Sequence, residues 1–119
     1  MEKITLASAS CYNQLYYFNP EFEELPKSIQ DEIKYICVPL AEKLHCIMTI
    51  GFYTDGSVFI EATAQESDFM FDEIGSKLEI RKIEREQSEL LESLQLWYAV
   101  YKTPEGEKIK QELLSKNKF

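Results

Sequence analysis

The feature that most limits the folds open to this chain is a pair of β-prone runs separated by a three-residue turn. Residues 46–53 and 57–64 are rich in Ile, Val, Phe, Thr and Tyr, and Thr54-Asp55-Gly56 lies between them. Glycine takes the positive φ that hairpin turns demand at no steric cost. The two runs are therefore read as antiparallel strands of one hairpin. In the second run Val58, Ile60, Ala62 and Ala64 alternate with Phe59, Glu61 and Thr63. Successive strand residues point to opposite faces, and the first set is expected to face the interior. A lone hairpin is marginal in water, so other parts of the chain must cover that face.

Two helical patterns supply the cover. Ile29, Ile33, Ile36, Cys37, Leu40 and Leu44 recur at steps of 4, 3, 1, 3 and 4. That spacing puts them on one stripe of a 3.6-residue helix over about 27–45. Pro26 suits a first turn, where its missing N–H costs nothing, and Asp31 and Glu32 lie near the positive helix start. Pro39 conflicts with the pattern, because an interior proline removes a helical hydrogen bond and clashes with the preceding turn. A kink near Val38, or two short helices, is expected there. Further on, Ile80, Ile83, Gln87, Leu90, Leu94, Trp97 and Tyr101 are spaced 3, 4, 3, 4, 3 and 4. This is coiled-coil seam spacing and predicts one long helix over 73–102, about 45 Å at 1.5 Å per residue. Thr103-Pro104-Glu105-Gly106 ends it. The stripe has two readings, an intramolecular core face or a dimer seam in which Gln87 sets the register.

The remaining segments are shorter. Residues 3–8 permit a strand, and Leu15-Tyr16-Tyr17-Phe18 a second, stopped by Asn19-Pro20. Phe22 and Leu25 are expected packing anchors in the connector that follows. Residues 107–116 suggest a short helix with Ile109 and Leu113 inward, in a tail (103–119) that frays. The fold class expected is a single α+β domain over 1–119. Its small antiparallel sheet is centred on the 46–64 hairpin and packed by the kinked helix 27–45 and the long helix 73–102.

Charge narrows the function. The 119 residues carry 13 basic and 21 acidic side chains, a net charge of −8, with 45% hydrophobic residues. That hydrophobic share can form a core, which argues against a disordered acidic tail. The acidity argues against a nucleic-acid partner and against anionic membrane. It is unevenly spread: residues 1–75 hold 4 of the basic and 13 of the acidic groups. Lys77, Arg81, Lys82 and Arg85 then form a small basic patch beside the acidic segment 66–75. The N-terminus is too polar for a signal peptide, and no window approaches the ~20 apolar residues of a membrane span. Three cysteines without a CxxC fit reduced thiols. A cytoplasmic protein is expected.

Chemistry-bearing motifs are sparse. His45 adjoins Cys46, but neighbours on a strand point to opposite faces, and the set of His45, Cys37 and Cys46 is one ligand short of a zinc site. Buried structural thiols and a helix-end histidine are the simpler reading. No phosphate-binding glycine loop, GxSxG or HExxH occurs. No catalytic, cofactor-binding or metal residue is assigned, and no cofactor is expected. In the acidic segment Asp68, Asp72 and Glu73 are candidate interaction residues, although carboxylates also suit a helix N-terminus. Trp97, Tyr98 and Tyr101 are candidates because Trp and Tyr are frequent hot spots, although aromatics at helical spacing also form ordinary core.

Several stretches resemble a small uncharacterised bacterial protein family, a domain of unknown function. They are residues 16–22 (YYFNPEF), Leu25-Pro26, Cys37-Val38, residues 72–76 (DEIGS) and residues 89–94 (ELLESL). The likeness covers roughly 10–102 and departs at Pro39 and beyond Tyr101. It implies a cytoplasmic bacterial protein and transfers no activity. The leading reading is a non-enzymatic protein-interaction module that associates with itself through the long helix, as a homodimer, or with another protein. The alternative is a small-molecule-binding domain or minor enzyme with an acidic pocket rim at 66–73. A secretion-chaperone-like protein, by fold analogy, and a nucleic-acid mimic, by acidity, are lesser readings.

Overall fold

The computed structural model describes residues 2–108 and 111. In chain order it has strands β1 (Lys3–Ser10) and β2 (Leu15–Phe18), a 3-10 turn (Pro20–Phe22) and helix α1 (Lys27–Leu44). Strands β3 (Ile47–Tyr53) and β4 (Val58–Thr63) follow, then helices α2 (Glu73–Glu86) and α3 (Ser88–Tyr101). The architecture is α+β, as the hairpin-plus-helix pattern implied. The four strands form one antiparallel sheet in the order β2-β1-β3-β4.

The hairpin closes as its turn residues require. Gly56 has φ of 90°, its N–H donates to the Tyr53 carbonyl at 2.8 Å, and the Tyr53 N–H donates to the Ser57 carbonyl at 2.8 Å. In the ladder Met48 pairs with Ala62, Ile50 with Ile60 and Phe52 with Val58. These six share one face of the sheet. Met48, Ile50 and Phe52 are at most 1% exposed. On β1 the register slips between Thr5 and Ala7, so the extra residue Leu6 is also fully buried.

Helix α1 lies over β1 and β3 and buries Ile33, Cys37, Leu40 and Ala41. Of the two outcomes expected at Pro39, division into two short helices does not occur, and α1 runs unbroken through it. Pro39 lies on the exposed face, as does Tyr35 one turn earlier. The carbonyl that loses its helical partner therefore belongs to a residue beside water, which lowers the cost of the proline.

The single long helix expected over 73–102 is two. Gln87 leaves helical geometry at φ −110° and ψ 27°, although its N–H still bonds Ile83 and its carbonyl still accepts from Leu91. Both pieces reach β4, but they are buried to different depths. α2 lies against β4 with Ile80 and Ile83 only half-buried, while α3 drives Leu90, Leu94 and Tyr98 into the core. Phe22 and Leu25, the expected anchors, are each 2% exposed. Residues 104–108 are helical. The inward positions expected for Ile109 and Leu113, and most of the tail 103–119, lie outside the described residues. Among the described residues no helix is long and apolar enough to cross a membrane.

Candidate docking groove beside the β4 edge

Strand order leaves β4 at an edge. Among the described residues no strand pairs with its outer side. The Tyr53–Ser57 bond sets the phase of the β3–β4 ladder, because bonded and non-bonded pairs alternate in an antiparallel pair. Phe59, Glu61 and Thr63 therefore exchange bonds with β3. Val58, Ile60 and Ala62 direct their N–H and C=O groups outward. Beside this edge a groove of about 650 Å³ opens between residues 60–65 and α2. Ile60, Ala62, Phe71 and Ile80 give it apolar lining. Lys77 and Arg81 contribute positive charge, and Glu61, Asp68, Glu73 and Glu84 negative charge.

The end of the groove is pinned by Asp68. Its side chain is only 6% exposed. The Tyr12 hydroxyl donates to Asp68 Oδ2 at 2.5 Å, and His45 Nδ1 lies 2.8 Å from the same oxygen. A carboxylate can only accept, so the imidazole proton sits on Nδ1. The Met70 N–H donates to Oδ1 at 2.9 Å, and the Gln65 N–H donates to the Tyr12 hydroxyl at 3.2 Å. The Tyr12 and His45 rings meet edge to face at 5.5 Å. His45 caps α1 in the left-handed conformation, φ 54°, and this turns its ring toward the loop. One carboxylate thus ties the β4–α2 connector to the β1–β2 turn and to the end of α1. The hydrogen bonds from Tyr12 first, and then His45, hold the Asp68 carboxyl below the usual carboxylate range.

The thiols nearby are not activated. Burial pushes Cys46 up to about 11 and Cys37 to about 12, and Cys11 is raised chiefly by desolvation. Nucleophilic cysteines need the opposite shift. Among the described residues no group of three or more His, Cys, Asp and Glu side chains is placed to hold a metal ion.

The other candidate residues separate. Asp72 caps α2, accepting from the Gly75 N–H at 2.9 Å, and Glu73 borders the groove 3.7 Å from Lys77. Tyr98 is buried against Phe52 at 4.8 Å between ring centroids. Trp97 is half-buried, 5.9 Å from Phe22. Tyr101 is 41% exposed and stacks on Trp97. Most of the α3 aromatic surface is therefore spent on intramolecular packing. Tyr12, His45 and the β4 edge escaped the sequence reading as site elements. Tyr12 lies 56 positions from Asp68 and His45 lies 23 from it, and no local pattern announces such a meeting.

No curated protein and no solved structure matches the chain. The likeness to an uncharacterised family, read on residues 10–102, holds over a wider span, and no activity comes with it. The chain belongs to the family of unknown function DUF6145, whose profile matches residues 3–114.

Proposed function

We propose that the protein is a non-enzymatic protein-interaction module whose docking element is the free edge of β4. The edge takes an extended segment of a partner protein as a further strand. The observation that carries this reading is the edge itself, which no strand pairs with among the described residues. Natural edge strands are commonly blunted by lysine, proline or a bulge. β4 has neither lysine nor proline, and its one charge, Glu61, is tied to Lys3 at 2.8 Å. The outward groups of Val58, Ile60 and Ala62 border a groove with apolar and charged lining. Strand addition draws affinity from main-chain bonds and specificity from pockets for alternate side chains, and both elements are at hand. The acidity of residues 1–75 favours a protein partner over nucleic acid or anionic membrane. The three free cysteines favour a reducing compartment, which we take to be the cytoplasm.

Titration of isotope-labelled protein with a library of extended peptides tests the reading by NMR. The expected result is shifted resonances and slowed amide exchange at Val58, Ile60 and Ala62. Binding that leaves those three amides untouched removes it. A second reading, small-molecule binding at an acidic rim, is favoured by one observation: Asp68 and Glu73 from the 66–73 segment line the same groove. A cationic fragment that shifts Asp68, Glu73 and Lys77, without slowing exchange along β4, would support it instead.

A further inference from the structure

Resting on the strand-docking reading above, we propose that the occupant of the β4 edge is a second copy of this chain. The two β4 strands pair antiparallel about a two-fold axis through Ile60, joining two four-stranded sheets into one continuous sheet.

The residue pattern about Ile60 is self-complementary. Val58 and Ala62, two positions to either side, are both apolar and both lie on the helix-covered face. In the proposed register Ile60 meets Ile60 of the second copy, and Val58 meets its Ala62. These are also the residues whose backbone groups point outward, so each outward N–H and C=O finds a partner. An isologous interface asks for this property, since one patch must fit itself.

Charge on the other face points the same way. Phe59 of one copy comes opposite Glu61 of the other. Lys3 Nζ lies 5.0 Å from the Phe59 ring centroid and 2.8 Å from Glu61 Oε2 of its own chain. The ammonium thus sits over the ring that the incoming Glu61 approaches, and each carboxylate gains a second cation. Centring the axis on Glu61 instead would set two carboxylates directly opposite each other, which is unfavourable. Centring it on Phe59 would leave the outward groups of Ala62 unpaired. The sheet's other edge, β2, has only four residues, and short edges are poor templates.

The test combines sedimentation analysis with amide exchange on the full chain, from micromolar to millimolar protein. The expected result is a dimer at the higher concentrations. Exchange at Val58, Ile60 and Ala62 should then slow about 10-fold or more as the dimer fills, while Phe59 and Glu61 stay protected throughout. Glu61→Lys should abolish the dimer with the monomer still folded by far-UV circular dichroism. The Lys3→Glu/Glu61→Lys exchange should restore it. A chain that stays monomeric to millimolar concentration, with those three amides open, overturns the proposal. So does a dimer in which they exchange freely, since the copies would then meet elsewhere. In either case strand docking survives if an added peptide protects the same amides, and fails if none does.

Discussion

Asp68 ties one side of the groove to distant parts of the chain. Its carboxylate collects Tyr12, His45 and the Met70 N–H from three separate parts of the chain. Hydrogen bonds to the ionised form hold its folded pKa below the unfolded value of about 3.9. The stability it contributes is therefore present above about pH 4 and is lost as pH falls through the lower folded value. Asp68→Asn keeps the size and removes the charge. Thermal melts from neutral to acid pH should show the largest Tm gap between wild type and Asp68→Asn above about pH 4, closing as pH drops. A gap that stays constant with pH would show that the bonds do not act through ionisation. The sequence marks Asp68 as one of several carboxylates in an acidic segment. It does not mark it as the one that is buried, because Tyr12 and His45 reach it only through the sheet and the end of α1.

At the level of elements, periodicity located the buried faces better than the breaks. The stripe from Ile80 to Tyr101 keeps its seam spacing, yet its two halves are buried to different depths. Leu90 and Leu94 are 7% and 0% exposed, whereas Leu96, off the stripe, is 67% exposed. Leu94→Ala should cost about 2–5 kcal/mol through lost burial and a residual cavity. Leu96→Ala should stay within about 0.5 kcal/mol. Chemical denaturation of the two variants checks the contrast, and equal losses would mean that α3 is rotated from its described face. The break at Gln87 is not visible in spacing. The reverse holds at Pro39, where local propensity predicts trouble. The exposed position of Pro39 and Tyr35 lets water take the orphaned carbonyl, and α1 continues.

At the level of the whole molecule, aromatic contacts join distant segments into one core. Phe22 of the 3-10 turn stacks on Phe52 of β3 at 5.4 Å, and Phe52 in turn meets Tyr98 of α3. Trp97 rests against Phe22, with Lys102 Nζ 5.8 Å from its ring centroid and donating to the Glu21 carbonyl. The single tryptophan thus reports the docking of α3 onto the N-terminal half. If that packing is part of one cooperative unit, melts followed by Trp97 fluorescence and by far-UV circular dichroism should coincide. An earlier fluorescence transition would make α3 a separately melting element. The sequence by itself determined the α+β class, the hairpin with its glycine turn, and the apolar face of each helix. Those follow from turn chemistry and from periods of 2 and 3.6, which are local properties. Tertiary structure alone decided the strand order, the place of β4 at the edge of the sheet and the groove beside it, and the meeting of Tyr12, His45 and Asp68. Each depends on which distant residues share space, and that is settled by the burial of the whole core, with no signature in any short stretch of the chain.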